Sequence, residues 1–437
     1  MKSVCIIGGG ISGIAASIFL KKAGYDVSLF ESTSKLGGRT YSIFDRYLNI
    51  SYDNGKHILA GWYKNTFELL NILGTKETII NSKFRLAIAY KDILLVSSEK
   101  SRFSILDYLL LLKKIGLIKW ADLWNVFIQF KKIRSSKVTE SYNIGSFLSQ
   151  HKVSDNLLYF FWLPVVNSIF NCDLEQVDLK NFKNLISSIG FNLTNLSFFC
   201  PDKTLDEIFI QPAVKFFQTY GVKYHLNSKV SEILIRNSKV QGIIVNGEIK
   251  NNFDYYVSAV SADKFHLLFD KIGQSIKSPK EFLHFNPIIS VNIFIDDNLL
   301  NNRLKDATSL MLAIFHPIPL WLFKNGQNYL SFIISNAGKY VEYEKNQILF
   351  LCIKVLQENN LANLNQNNIR HFSVIKERSA TIIPGHKQFN LEIFSDLPSN
   401  LLLCGDWTSK AGFSTIESAV SSSKLILKKL EEIERQN

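Results

Sequence analysis

The chain opens on a short apolar run, Val4 to Ile7, which leads directly into Gly8-Gly9-Gly10-Ile11-Ser12-Gly13 and a helical stretch from Ile14 to Ala23. Gly24-Tyr25-Asp26 turns it into a second apolar run, Val27 to Phe30, closed by Glu31. Apolar runs bounded by glycine turns and separated by one helix predict neighbouring strands of a parallel sheet. The pattern is mostly helical from about 86 to 205. Leu205 to Tyr220 is amphipathic with helical spacing, and Gly221 to Leu226 returns as a strand. Val230 to Val245 alternates apolar and polar positions, as paired strands do. Asp254 to Val260 is a further buried strand, residues 275 to 375 alternate again, and Leu401 to Leu403 is a last apolar strand before a helix-like segment from Ile416.

The glycines of the first turn have a chemical meaning. Gly8 permits a tight turn, Gly10 lets the backbone approach a pyrophosphate, and Gly13 allows close packing of helix on strand. The helix that begins at Ile11 and Ser12 turns free N–H groups and a partial positive charge toward the phosphates. Glu31 follows Gly8 by 23 residues, where an acidic side chain can accept both ribose hydroxyls. The unit predicts a bound dinucleotide.

Lys35-Leu36-Gly37-Gly38-Arg39-Thr40 follows the second strand at once. At the far end, Gly405-Asp406 closes a strand, and Thr415-Ile416 opens a helix. Together these stretches resemble the FAD-dependent amine oxidase and carotenoid desaturase superfamily. The resemblance implies an α/β fold with a Rossmann-like FAD-binding domain of the glutathione reductase/amine oxidase type, interleaved with an α+β substrate domain. It also implies FAD held by Gly37, Gly38 and Arg39, with Asp406 at the ribityl or pyrophosphate region and the Ile416 helix facing the flavin pyrimidine. Val230 would hold the adenine through its backbone. The implied boundaries are 1–85, 206–274 and 376–437 for the cofactor domain, with 86–205 and 275–375 for the substrate domain.

The segment Asp53-Asn54-Gly55-Lys56-His57, with Gly61-Trp62-Tyr63, Thr66, Leu69-Leu70 and Gly74 after it, is similar to one subgroup, the squalene-associated desaturases, understood as hydroxysqualene dehydroxylases. Trp162-Leu163-Pro164 with Asn171, and Lys376-Glu377-Arg378-Ser379-Ala380-Thr381, extend the likeness. Lys56 departs from the subgroup, which usually has Gln there, as does Ser379 within what is more usually Arg-Ala-Thr. The implied reaction is reductive removal of the hydroxyl of hydroxysqualene. It needs an acid near the leaving oxygen, and Asp53 and His57 are the candidates for that acid or for orienting a water. Each has a structural alternative: a turn-fixing hydrogen bond for Asp53 and a hydrogen bond beside the cofactor for His57. Gly55 lies between them, against the cofactor. One dinucleotide fingerprint implies a separate electron donor. A carotenoid-type desaturase, an amine oxidase and a non-catalytic prenyl carrier remain as other readings.

Composition adds three points. The five cysteines are scattered without a CxxC, which predicts buried thiols and neither a metal site nor a disulfide framework. The net charge of +12 is uneven. Between Lys100 and Lys137 nine basic residues face two acidic ones, interleaved with Leu109–Leu112, Trp120, Trp124, Phe127 and Phe130. Basic heads beside apolar faces predict membrane-facing helices near 104–133 on an anionic leaflet, hence a cytoplasmic protein peripheral to the inner membrane. No reader motif accompanies the charge, so nucleic acid is not an expected partner. Finally, 33 phenylalanines suit a pocket for a long isoprenoid, and equally a packed core. The uncharged stretches 156–172 and 307–323 are interrupted by prolines and predict pocket-lining segments.

Overall fold

A computed structural model describes residues 1–136, 142–190, 194–269, 283–326, 329–384, 397–409 and 413–436. Lys137, the last residue of the basic window, lies outside them. Five parallel strands form the first sheet, in the order Lys223–His225, Asp26–Phe30, Ser3–Ile7, Tyr255–Ser258 and Leu401–Leu403. Helices cover the sheet, so its central strands are buried and read as continuous apolar runs. The helix Ile11–Lys22 is buried from Ile11 to Leu20 on every side. Its Ala15 and Ala16 leave room for the terminal helix Ile416–Gln436, and Ser423 Oγ donates to the Ser12 carbonyl at 2.8 Å between the two. The antiparallel meander Val230–Arg236, Lys239–Val245, Glu248–Asn251 attaches beside this sheet.

A second sheet has seven strands, in the order His371–Ile382, Phe285–Phe294, Tyr329–Ile334, Leu320–Asn325, Ser309–Ile314, Arg85–Tyr90 and Ile93–Val96. Helix Lys345–Glu358 packs one face with Ile348, Leu349, Cys352 and Ile353. The other face looks toward a wall of helices that includes Ile105–Lys114, Trp120–Ser135, Leu163–Phe170 and Leu179–Ile189. Two expectations shift here. The start of the stretch read as helical holds no helix up to Ser104 and instead forms the strands Arg85–Tyr90, Ile93–Val96 and Phe103–Ser104. Leu86-Ala87-Ile88-Ala89 is buried on both faces, so it carries no period to distinguish it from a helix. The boundary expected at 376 falls inside the strand His371–Ile382, which pairs with Phe285–Phe294 along most of its length.

Two helices pass through prolines without breaking. Each first widens by one residue: Leu163 N–H reaches the Leu158 carbonyl, and Gln211 N–H reaches that of Asp206. Pro164 and Pro212 supply no N–H, so the carbonyls four residues earlier lack their helical donor. A hydroxyl from elsewhere in the fold replaces each one. Tyr108 donates to the Phe160 carbonyl at 2.8 Å, and Thr75 Oγ1 to the Ile208 carbonyl at 3.0 Å. Stretch 156–172 thus stays helical and lines the interior, as read.

Tyr108→Phe strands a buried carbonyl and lowers stability by about 1–3 kcal/mol. In a Pro164→Ala background, which restores an N–H, the loss shrinks. Urea denaturation of the four proteins measures the coupling, and equal losses in both backgrounds would show that the hydroxyl does not substitute for the missing donor.

Candidate functional site

The two sheets enclose a cavity of about 1300 Å³ that runs from the carboxyl ends of the parallel strands into the space between the seven-stranded sheet and the helical wall. Its first half is a trough. Gly8 takes φ +104°, open to glycine but strained for other residues, and a Cβ on Gly13 would lie 1.9 Å from the Gly8 carbonyl oxygen. Helix and strand can meet this closely only without that side chain. Gly10 caps the helix with no side-chain hydrogen bond and no acid in the first turn, which leaves the N–H groups beyond it for an anion. The Gly37-Gly38 turn lies on this loop: Gly37 N–H donates to the Gly9 carbonyl at 2.8 Å, and a Cβ on Gly38 would sit 3.0 Å from Gly10 Cα. Ile11 and Ser12 complete the phosphate-facing wall.

Glu31 closes the trough on one side. Its Oε2 accepts from Gly9 N–H at 2.7 Å, while Oε1 accepts from Thr33 N–H at 2.8 Å and Thr33 Oγ1 at 2.9 Å. The carboxylate therefore steadies the glycine loop as well as facing the trough. Val230 lines the same end with Ser228 and Lys229. At the other end Arg39 donates to Asp406 Oδ1 at 2.6 Å and to the Ala380 carbonyl at 2.8 Å. Arg39 and Asp406, each expected as a cofactor contact, are thus paired with one another in the trough wall. Gly405 takes φ +151°, and a Cβ there would lie 2.8 Å from Trp407. Thr415 Oγ1 accepts from Ser418 N–H at 3.1 Å and so caps the helix that starts at Ile416; both residues line the cavity.

The Asp53–His57 segment stands where trough and inner space meet. Gly55, Lys56 and His57 line the cavity; Asp53 is not among the lining residues. Asp53 Oδ1 accepts from Ser42 Oγ and from Leu205 N–H, each at 2.8 Å, which binds the segment to the helix after it. Burial pushes its carboxyl up, against the pull of Lys56. Lys56 donates to the Pro201 carbonyl. A Cβ on Gly55 would lie 2.8 Å from Ser290 Oγ, so the segment rests directly on the seven-stranded sheet. The His57 ring is 2.7 Å from the Gly55 carbonyl through Nδ1, which must therefore donate. Burial lowers the His57 pKa. At neutral pH Nε2 then carries a lone pair: it can accept a hydrogen bond but has no proton to give.

The inner half is apolar. Trp62, Tyr63, Phe103, Tyr108, Phe130, Phe161, Phe182, Phe198, Trp321 and Phe323 line it, with Asn167, Ser168 and Ser290 as the sparse polar groups. Glu377 also faces the cavity; the sequence reading named it in the Lys376–Thr381 stretch but gave it no role. A further signal was its place in the strand, two residues from the lining Ile375. Among the described residues, Asn54 Oδ1, Trp62 Nε1 and Asn167 Oδ1 are buried without a partner at this cavity. A glycine cradle and an open helix N-terminus fit a phosphate-bearing cofactor laid along the trough.

This fold and trough define a flavin-dependent oxidoreductase. The chain belongs to the flavin containing amine oxidoreductase family, whose match spans residues 11–425. It is 22% identical to a hydroxysqualene dehydroxylase of Zymomonas mobilis, over 95% of this chain and 96% of that one. It is 21% identical to a 15-cis-phytoene desaturase of Capsicum annuum, over 97% of this chain and 76% of that one. An oxidoreductase from Methanosarcina mazei superposes with a TM-score of 0.73 at 16% identity, covering 98% of this chain and all of that one (100%).

Gly13→Ala forces helix and strand apart at the trough. The expected result is protein that folds yet retains little or no flavin by visible absorbance, whereas Gly338→Ala, whose Cβ meets nothing within 4 Å, retains it. Full flavin content in Gly13→Ala would show that the cradle does not hold the cofactor.

Proposed function

We propose that the protein binds FAD and reductively removes the hydroxyl of hydroxysqualene to give squalene. The observation that carries this reading is the single cavity of about 1300 Å³, half glycine-lined trough and half aromatic chamber. Pockets for one drug-sized ligand run to about 300–1,000 Å³, so this one suits a dinucleotide together with a long hydrocarbon. FAD laid along the trough would place its phosphates at Gly10–Gly13 and its ribose at Glu31. When bound and reduced, the flavin supplies a hydride. The chamber walls exclude water, and their aromatic faces favour positive charge developing on the substrate. His57 Nε2, as an acceptor, orients the substrate hydroxyl. The electrons come from a separate donor. Oxidative desaturation of an isoprenoid is the second reading, supported by the similar identity to phytoene desaturases.

The same helices that wall the chamber suit an anionic leaflet. Ile105, Tyr108 and Phe130 face the cavity, while Leu106, Leu110, Trp120, Trp124 and Phe127 are 40–65% exposed on the other side. Positions 120, 124 and 127 share one helical face. Lys113 sits 4.3 Å over the Trp120 ring, and Lys114, Lys119, Lys131, Lys132 and Arg134 are exposed on the same two helices and their connection. No helix among the described residues is long and apolar enough to cross a membrane. The proposed attachment is therefore peripheral, on the cytoplasmic leaflet.

Anaerobic incubation with hydroxysqualene and chemically reduced flavin is expected to yield squalene by mass spectrometry. No squalene from a flavin-loaded, reducible protein would reject the dehydroxylation. Separately, the protein is expected to float with vesicles containing phosphatidylglycerol and much less with phosphatidylcholine alone. Trp120→Ala/Trp124→Ala/Phe127→Ala should lose most of that binding, and wild-type protein that stays in solution would remove the membrane from the account.

A further inference from the structure

Four carboxylates line the cavity: Glu31, Asp263, Glu377 and Asp406. Three are engaged: Glu31 by Gly9 and Thr33, Asp263 by Ser261, and Asp406 by Arg39. The Glu377 carboxylate alone has no side-chain hydrogen bond or ion pair among the described residues, and the residue is half-buried. Of its strand neighbours, Lys376 donates to the Tyr343 carbonyl, and Arg378, which also borders the cavity, is taken up by Glu342.

Register places it. Glu377 lies opposite Ile288 and Ile375 opposite Ser290, and all four side chains share the cavity face of the sheet. Ser290 is the residue against which Gly55 rests, at 2.8 Å from a Cβ built there. The unpaired carboxyl and the His57 segment therefore flank the junction of trough and chamber. Asp406 first, and Glu377 in addition, strengthen the hold of Arg39 on its proton.

We infer that Glu377 is the proton donor of the dehydroxylation, an assignment that rests on the function proposed above. The substrate hydroxyl donates to His57 Nε2, and its oxygen receives the Glu377 carboxyl proton. The carbon–oxygen bond breaks, with its electron pair leaving on oxygen as water. The carbon left short of electrons takes a hydride, and thus two electrons, from reduced flavin. Glu377 is left as a carboxylate and regains its proton from solvent when product leaves.

The test compares wild type, Glu377→Gln and Glu377→Asp on hydroxysqualene and on its O-acetyl ester, whose acetate leaves without a proton. Flavin content by absorbance, and squalene binding by quenching of tryptophan fluorescence in flavin-free protein, check that site and fold persist. Glu377→Gln should lose about 100-fold or more on the alcohol while keeping the ester and squalene binding within a few-fold, with Glu377→Asp in between on the alcohol. Equal losses on both substrates, or no loss, would overturn the assignment while leaving the dehydroxylation standing. Flavin-loaded wild type that converts neither substrate would defeat the dehydroxylation and the assignment with it.

Discussion

The contact between Arg39 and Asp406 holds the site together. Arg39 follows the first cofactor strands, Ala380 ends a strand of the other sheet, and Asp406 opens the terminal return, yet one guanidinium bridges all three at 2.6 and 2.8 Å. The pair is partly exposed on the Arg39 side, 38% against 9% for Asp406. An ion pair of this kind contributes modestly to stability, and its consequence is mainly geometric. It fixes where the seven-stranded sheet meets the parallel one, and so where the trough ends and the chamber begins. Asn171 ties the helical wall to the same end of the seven-stranded sheet, with Nδ2 donating to Thr381 Oγ1 at 2.9 Å and to the Asn286 carbonyl at 3.1 Å.

The cofactor half was legible in the sequence because its chemistry constrains residue type at each position. A close helix–strand approach needs Gly13, and the acid that steadies the loop must end the second strand. The chamber was less legible. Its wall is Phe, Trp and Tyr, which an ordinary core also selects, so composition could not separate pocket from packing. Strand Arg85–Tyr90 had no readable period because both its faces are buried. Pro164 suggested a break, but the orphan carbonyl it creates is met by Tyr108, 52 residues earlier than Phe160. Partners that remote leave no local pattern. For the same reason Asp53 and His57 both stood as candidates for the acid. Only the fold shows Asp53 behind the cavity wall and His57 with its donating nitrogen already engaged.

One economy runs through the helical wall. Helices Ile105–Lys114 and Trp120–Ser135 turn one side to the chamber and leave aromatic and leucine side chains exposed on the other. A pair of helices with two apolar faces is costly in water. It becomes reasonable where the substrate and the surface it is drawn from are both hydrocarbon. This connects the basic charge of the 100–137 window, the aromatic interior and the absence of a membrane-crossing helix among the described residues within one proposal.

The most direct test of the account is a crystal structure of the flavin-loaded protein with squalene bound. The account predicts a flavin along the Gly8–Gly13 trough and a hydrocarbon chain in the chamber, with one of its carbons against the ring system between His57 and Glu377. Squalene located elsewhere, or a chamber filled by side-chain rearrangement with the flavin in place, would contradict it.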